Sequence, residues 1–157
     1  RSDMISNTIL MEQLDKYYAV WHKYNYVYEE WAKTHGLSVN SLLVLCAIHD
    51  GEDDCTQKKI SQKWLIPKQT VNMVFKDFER KGFVELFPMP KDKRNKVIRF
   101  TKEGKKYADT IISELRKVEL FVIEEIGIER MQQLNESMAL FVELFNKAGG
   151  ENSNETS

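Results

Sequence analysis

The chain has 157 residues, of which 23 are Lys or Arg and 24 are Asp or Glu, so its formal net charge is −1. This length predicts one compact domain or two closely packed lobes, and a hydrophobic content of 42% is enough for a core. The sequence has neither an apolar run near the roughly 20 residues of a membrane-spanning helix nor a visible secretory signal. Two cysteines are too few for a disulfide scaffold, so we expect a cytoplasmic protein. Because no membrane-spanning run is visible, we expect no membrane partner.

The first predicted element is a long helix over residues 6–34. Its apolar and aromatic residues follow one another at spacings of four and three, which places them on one helix face. That face consists of Leu10, Leu14, Tyr17, Trp21, Tyr24, Tyr28 and Trp31. His35 and Gly36 end this helix, and Ser38 is well placed to cap a short, very apolar helix that extends to Ile48.

The middle of the chain predicts a winged helix-turn-helix. Its elements are, in order, a helix over 56–65, a break at Ile66 and Pro67, a helix over 68–81 that stops at Gly82, a strand over 83–87, a basic loop over 88–96 and a strand over 97–100. Helix, turn, helix and hairpin is the order of elements in a winged DNA-binding domain.

Charge is distributed unevenly along the chain. Residues 56–106 hold 15 basic and 5 acidic residues, a net of +10, whereas the remainder holds 8 basic and 19 acidic residues, a net of −11. A basic segment inside an acidic chain is typical of a protein that binds a polyanion. A lysine-rich, solvated surface is the alternative interpretation. We favour double-stranded DNA as the partner, because the basic residues fall on the predicted motif.

The second helix of the motif contains the predicted sequence-reading residues. Val71, Val74, Phe75 and Phe78 mark its inner face. The residues on its outer and flanking faces that we predict to contact DNA are Lys68, Gln69, Thr70, Asn72, Met73 and Lys76. Gln and Asn pair with adenine edges, the Thr methyl contacts thymine, and Lys reaches phosphate or guanine. Any one of these residues is otherwise an ordinary solvated side chain.

The basic loop between the two strands is the predicted wing tip. Its predicted DNA contacts are Lys91, Lys93, Arg94 and Lys96. Arg is the residue that enters a narrow minor groove best. Asp92 has two interpretations: its carboxylate orients the Arg94 guanidinium, or it only forms the turn.

Two more helices are predicted after the hairpin. Thr101 is placed as the N-cap of the first, and Gly127 separates the two. The last helix has an apolar stripe at three- and four-residue spacing: Met131, Leu134, Met138, Phe141 and Phe145. The stripes of the first and last helices are too long for helices that flank so small a motif. They pack either within the chain or against a second copy, and we favour a homodimer because a two-fold protein matches a two-fold DNA site.

The middle of the chain resembles the MarR family of bacterial transcription regulators over about residues 56–104. The matching segments are Ile60-Ser61, Ile66-Pro67-Lys68-Gln69-Thr70-Val71-Asn72, Glu79-Arg80-Lys81-Gly82-Phe83-Val84, Asp92-Lys93-Arg94 and Thr101-Lys102-Glu103-Gly104. The wing of that family carries an Asp-x-Arg pair, which Asp92 and Arg94 match. Leu65 is a departure, since the family often has Gly in this turn.

The expected fold is mainly α with a small β-hairpin wing. Residues 38–104 would form the winged helix-turn-helix lobe, residues 6–34 and 105–147 a helical dimerisation lobe, and residues 148–157 a flexible tail. The resemblance implies a dimer with interlocking N- and C-terminal helices. We therefore predict a sequence-specific transcriptional regulator, a repressor that a small-molecule effector releases from DNA.

The aromatic residues of the first helix have two interpretations. Most are expected in a dimer or interlobe core. Some could instead line a pocket for a small aromatic or amphipathic effector, with their hydroxyl groups as polar contacts. The pocket candidates are Tyr17, Trp21, Tyr24 and Tyr28. The resemblance supports the second interpretation, because the family often binds phenolic or drug-like molecules between its lobes.

Other chemistry has little support in the sequence. The three histidines are isolated and no Cys-x-x-Cys pair exists, so we expect neither a metal nor another cofactor. No nucleophile and base are arranged for catalysis, so we do not expect an enzyme. Two alternatives to the ligand-responsive repressor remain: a winged-helix adaptor that binds proteins, and a redox-responsive regulator that uses Cys55 or Cys46.

Overall fold

The computed structural model describes residues 5–51, 53–89, 91–92 and 94–154, with the backbone alone for 151–154. Its helices and strands are, in chain order, α1 (Asn7–Thr34), α2 (Val39–Asp50), α3 (Gln57–Trp64), α4 (Lys68–Arg80), β1 (Val84–Pro88), β2 (Lys96–Phe100), α5 (Lys102–Ile126) and α6 (Ile128–Asn154). The predicted mainly helical fold with a β-hairpin is confirmed. The chain divides into two compact units, Arg1–Ile111 and Ile112–Ser157.

Four helices begin at hydroxyl side chains, of which Ser38 and Thr101 are the predicted caps. Each hydroxyl satisfies a backbone N–H group that the first helical turn leaves unpaired. The capping bonds run from the N–H of Ile9 to Ser6 Oγ (3.4 Å), from that of Ser41 to Ser38 Oγ (3.0 Å), from that of Lys59 to Thr56 Oγ1 (3.1 Å) and from that of Gly104 to Thr101 Oγ1 (3.0 Å). Gly82 follows Lys81, the C-cap residue of α4, and has a φ of 77°. The predicted starts and stops of these helices therefore agree with the structure to within about two residues.

The C-terminal helix is longer than predicted. It continues through Gly149 and Gly150 to Asn154, so it includes the first part of the segment predicted as a tail. Each glycine costs a helix about 1 kcal/mol relative to alanine, which weakens this end without forcing a break. The flexibility of residues 148–157 stays a prediction.

The core of the first unit is built mainly by α2 and α4. Helix α2 is buried on nearly every side, which is the expected consequence of its continuous apolar run. Helix α4 buries one face, and the residues of that face are Val71, Val74, Phe75 and Phe78, as predicted. The opposite face of α4 is consequently directed away from the core.

The hairpin is joined to the helices along one of its edges. Strands β1 and β2 are antiparallel, with Val84 opposite Phe100 and Pro88 opposite Lys96. On the other side of β2, the N–H of Ile98 donates to the carbonyl oxygen of Cys55 at 2.8 Å, and Thr56 forms a bridge with Val97. Strand β2 thus has a neighbour on both sides, and the base of the wing is hydrogen-bonded to the segment that begins α3.

The end of α4 and the beginning of α5 share a set of backbone contacts, here called the α4–α5 junction. Thr101 donates its hydroxyl to the carbonyl oxygen of Gly82 at 2.6 Å, and its N–H to that of Phe83 at 3.0 Å. Gly104 is buried against the same Phe83 carbonyl, and a Cβ atom at position 104 would overlap it. Thr101 therefore does more than cap α5, and only glycine fits at position 104.

The two long apolar stripes are largely exposed in the single chain. Helix α1 buries Ala32 alone of its 28 residues, and Trp21 in the middle of its stripe is 47% exposed. On α6, Phe145 is 69% exposed. None of the helices in the described part of the chain has both the length and the apolar character that are needed to cross a membrane.

Candidate nucleic-acid interface

The turn between α3 and α4 is held by Ser61 and Ile66. Ser61 donates its hydroxyl to the carbonyl oxygen of Ile66 at 2.6 Å, and the Ile66 N–H returns a bond to the Ser61 carbonyl at 3.2 Å. Leu65 occupies the left-handed region, with φ 52° and ψ 41°, and is 88% exposed. The turn therefore has a backbone conformation that glycine adopts easily. For leucine this conformation costs roughly 1–2 kcal/mol.

A single row of side chains lies opposite the buried face of α4 and is here called the recognition stripe. It consists of Gln69, Met73, Lys76 and Arg80, at successive spacings of four, three and four residues. All four are exposed. Arg80 was not among the residues predicted to contact DNA, although its position four residues after Lys76 places it on the same face. This stripe is the part of α4 that is best placed to enter a groove.

The other predicted contacts of α4 flank the stripe. Lys68 is exposed near the beginning of the helix, whereas Thr70 and Asn72 are half-buried at the two edges of the outer face. The predicted set therefore shares one helix but not one face. Pro67 gives α4 no side-chain cap, so N–H groups of the first turn are available to an anion such as a DNA phosphate.

Ion pairs at the end of α4 leave its basic groups available. Asp77 lies 3.8 Å from the Arg80 guanidinium and 3.0 Å from the Lys81 ammonium group. Both pairs are exposed, and such pairs contribute about 0–1 kcal/mol. A phosphate could therefore replace the carboxylate at little cost.

The wing tip presents basic side chains around a short turn. Lys91, Arg94 and Lys96 are exposed. The fourth predicted contact of the wing, Lys93, lies outside the described residues. The hairpin extends beyond the strands through a 3.4 Å bond from the N–H of Met89 to the carbonyl oxygen of Asn95.

Asp92 organises the backbone of this turn. Its carboxylate accepts the N–H of Arg94 at 3.0 Å and the side-chain amide of Asn95 at 2.9 Å. These are the contacts of a turn-forming aspartate, which was the second of the two interpretations. Orientation of the Arg94 guanidinium by Asp92 stays a prediction.

Other basic residues surround the motif. Arg99 lies over the ring of Phe87 at 5.0 Å on the hairpin, a pairing that neither strand pattern revealed. Lys58 and Lys102 are exposed. Lys59 forms an ion pair with Asp54, and this pairing lowers the pKa of the Asp54 carboxyl group.

The predicted effector-pocket residues form a line of aromatic rings along α1. Tyr17 and Trp21 stack with ring centroids 6.3 Å apart, and Tyr24 and Tyr28 are tilted with centroids 5.5 Å apart. Tyr28 is half-buried, whereas the other three are exposed. The structure thus brings the four together on one helix, and the pocket itself stays a prediction.

The two cysteines are buried thiols. Burial, followed by the nearby charge of Asp54, raises the pKa of the Cys55 thiol, whereas Lys59 and Lys63 oppose this shift more weakly. A reactive cysteine needs an accessible thiolate. The environment of Cys55 therefore disfavours the redox-responsive alternative. Across the residues that the structure describes, no group of three or more His, Cys, Asp or Glu side chains could hold a metal ion.

Comparison with known proteins identifies the family. The family model described as MarR family matches residues 35–95. The HTH-type transcriptional regulator SarZ of Staphylococcus epidermidis is 30% identical over 117 residues, which cover 73% of this chain and 76% of SarZ.

Two solved structures are similar over most of the chain. NMB1585, a MarR family regulator from Neisseria meningitidis, is 28% identical with a TM-score of 0.77, covering 89% of this chain and 98% of that one. Staphylococcus aureus MarR in complex with salicylate and kanamycin has a TM-score of 0.69 at 20% identity, covering 90% of this chain and 95% of that one. With its helix-turn-helix, its hairpin wing and these relatives, the chain belongs to the MarR family of transcriptional regulators.

Proposed function

We propose that this protein is a homodimeric repressor that binds a pseudo-palindromic DNA operator and is released from it by a small aromatic or amphipathic effector. One observation carries the proposal: the recognition stripe lies opposite the buried face of α4, inside a segment with a net charge of +10. A polar, outward helix face behind a tight turn is the element that enters the major groove in helix-turn-helix proteins.

The residues of α4 and the wing have different tasks in this proposal. Gln69 and Asn72 can pair with adenine edges, while Lys76 and Arg80 reach guanine or phosphate. Arg94 at the wing tip would enter the adjacent minor groove. Lys58 and Lys102 would contact phosphates, which position the protein but carry little sequence information.

The dimer would form through the long helices. Their exposed apolar stripes on α1 and α6 are the surfaces that a second copy would cover. In this arrangement residues 6–34 and 105–147 form the dimerisation lobe and residues 38–104 the DNA-binding lobe. Two copies of α4 would then read half-sites about 10 base pairs apart, centre to centre.

The effector would bind beside the aromatic line of α1. Tyr17, Trp21, Tyr24 and Tyr28 offer stacking surfaces together with hydroxyl or indole N–H groups. The S. aureus MarR structure holds salicylate, a ligand of this aromatic class. We assign no catalytic step to the protein and place it in the cytoplasm, where its DNA partner would be.

A selection experiment tests the proposal. Purified protein is incubated with random duplexes, the bound sequences are recovered, and affinity for the enriched site is measured between 50 and 200 mM salt. We expect enrichment of a pseudo-palindrome and a loss of affinity of roughly 10³-fold or more over this range, as for proteins with six or more phosphate contacts. No enrichment and no salt dependence would favour the protein-binding adaptor.

Arg94→Ala tests the wing. Removal of its guanidinium from the groove should weaken operator binding by about 1–3 kcal/mol, that is, roughly 5- to 150-fold. Asp92→Ala should have a milder effect. Lys117→Ala is the matched control, because it removes one exposed positive charge outside the basic segment. Equal affinities of the wild type and Arg94→Ala at physiological salt would refute the assignment.

Substitutions on α4 should change sequence preference. Replacing Gln69 or Asn72 with Ala should relax the preference at defined base pairs, at about 1–3 kcal/mol for each bidentate hydrogen-bonded pair between side chain and base that is removed. Replacing Lys58 or Lys102 with Ala should weaken binding to all sequences alike and flatten the salt dependence. Competition binding with operator and random duplexes separates the two patterns. An equal loss for both duplexes in the Gln69 and Asn72 variants would contradict the recognition-helix assignment.

A further inference from the structure

Met73 is an exposed apolar side chain in the middle of a polar, basic surface. It is 70% exposed, and its neighbours along the recognition stripe are Gln69, four residues before it, and Lys76, three residues after it. The exposed apolar residues of α1, α5 and α6 belong to long apolar stripes, whereas Met73 stands among hydrogen-bonding groups. Packing within the chain therefore does not account for methionine at this position.

We propose that Met73 contacts the 5-methyl group of a thymine in the major groove and selects thymine at one position of each half-site. The inference rests on the proposed function, since it requires that the recognition stripe enter the groove. The DNA group that Met73 would contact is defined, because the thymine methyl is the only apolar group that the major-groove edges of the four bases present.

The side chain suits this task. Methionine is unbranched and polarisable, so its thioether adapts to the shape of a neighbouring group. Gln69 and Lys76 instead offer hydrogen-bonding groups, which gain nothing from a methyl group. The stripe would then read both polar base edges and an apolar one.

The spacing on α4 predicts where this thymine lies. Gln69 and Met73 are four residues apart, which corresponds to a rise of about 6 Å along the helix. Base pairs are stacked about 3.4 Å apart. The thymine should therefore lie within about two base pairs of the adenine that Gln69 reads.

Thr70 is the competing residue for the same methyl group. Its side chain also carries a methyl, but it is half-buried at the edge of the outer face. Met73 lies near the centre of that face and is the more accessible of the two. A test must therefore separate the two residues as well as detect the contact.

Deoxyuridine provides the probe, because it differs from thymidine only by the absent 5-methyl group. The site selected from random duplexes is made again with each thymine replaced singly by deoxyuridine, and affinities are measured at two salt concentrations. We expect one symmetry-related thymine position at which the substitution weakens binding about fourfold per half-site, the value of one buried methyl-sized group. The ratio of the affinities for the thymine and uracil duplexes should be the same at both salt concentrations, because a methyl group carries no charge.

Four variants complete the experiment. Met73→Gln should bind the thymine and uracil duplexes equally, while Met73→Leu should keep the preference. Lys58→Ala should bind both more weakly and leave their ratio unchanged. If Thr70→Ser binds the thymine and uracil duplexes equally while Met73→Gln still prefers thymine, the methyl contact belongs to Thr70 and the proposal is overturned.

The remaining outcomes are also decisive. If the wild-type protein binds the selected site but shows the same affinity for every uracil-substituted duplex, the Met73 contact is refuted and the proposed DNA-binding function stands. If the protein selects no duplex at all, both the Met73 contact and the proposed DNA-binding function are refuted.

Discussion

Helices α1 and α4 have similar apolar periodicity in the sequence and opposite environments in the structure. Helix α4 buries four of its 13 residues, all on one face, whereas α1 buries one of its 28. The apolar face of α4 packs on neighbouring elements of its own unit. The stripe on α1 is largely exposed in the single chain.

The difference shows what an apolar stripe does and does not predict. Spacing at three and four residues predicts a helix with one face removed from water. It does not say which surface covers that face. For α4 the covering surface belongs to the same chain, whereas for α1 and α6 we propose a second copy. The comparison can be tested by changing each region separately.

The largest effect is expected in the self-contained region, from Gly104→Ala. The added Cβ would overlap the Phe83 carbonyl at the α4–α5 junction, so the two segments must separate or distort. We expect a loss of about 3 kcal/mol in the free energy of unfolding, measured by urea denaturation. Gly150→Ala is the control, because no atom lies within 4 Å of its added Cβ. A neutral Gly104→Ala would show that the junction is not tightly packed.

A charge on the exposed stripe should break association and leave the fold intact. Phe145→Glu replaces a ring that is 69% exposed in the single chain. If a second copy covers this ring, the dimer should weaken by about 2 kcal/mol or more, roughly thirtyfold in Kd. Sedimentation equilibrium measures the Kd, and circular dichroism checks the helix content.

Gln132→Glu adds the same charge on another face of α6 and should leave the dimer unchanged. A wild-type protein that is monomeric at micromolar concentration would refute the proposed dimer. Equal dissociation constants for wild type and Phe145→Glu would place the interface elsewhere.

A smaller effect is expected at the turn of the motif. Leu65→Gly should relieve the cost of a left-handed leucine, but it should also increase the flexibility of the unfolded chain. The two effects oppose each other, so we expect a net gain of about 0.5 kcal/mol in urea denaturation. Leu65→Ala keeps the left-handed residue and should show no gain. Equal stabilities of the Gly and Ala variants would mean that the turn is not strained.

The smallest effect at neutral pH concerns Cys55, whose buried thiol has a pKa above its ordinary value of 9.0. The unfolded chain would release this proton near that ordinary value, whereas the folded chain holds it to a higher pH. Stability should therefore be independent of this group below its ordinary pKa and fall as the pH rises above it. The difference in unfolding free energy between wild type and Cys55→Ala, measured from pH 7 to 10, should show this decline. A difference that rises with pH would indicate a stabilised thiolate and revive the redox-responsive alternative.

Much of the fold was predictable because its signals are local. Ser6, Ser38, Thr56 and Thr101 precede apolar periodic segments, and a capping hydroxyl acts within three residues of its own position. The inner face of α4 was predictable for the same reason, since helical periodicity relates residues within a few turns.

The features that escaped prediction depend on contacts between distant parts of the chain. His49 meets Asp109 at 3.0 Å although 60 residues separate them, and Cys55 pairs with Ile98. No spacing rule reports such contacts. Arg80 escaped for a different reason: its spacing from Lys76 is a local signal, but its position beside the glycine stop is equally typical of a residue that only ends a helix.

The α4–α5 junction has a mechanical consequence for regulation. Two hydrogen bonds from Thr101 and the close approach of Gly104 join the backbone at the end of α4 to the first turn of α5. A shift of the first turn of α5 would therefore displace the end of α4 as well, because these contacts couple the two segments. Release of DNA would then need no unfolding of the reading helix, since a tilt transmitted through a few backbone bonds is enough to misalign its side chains with the bases.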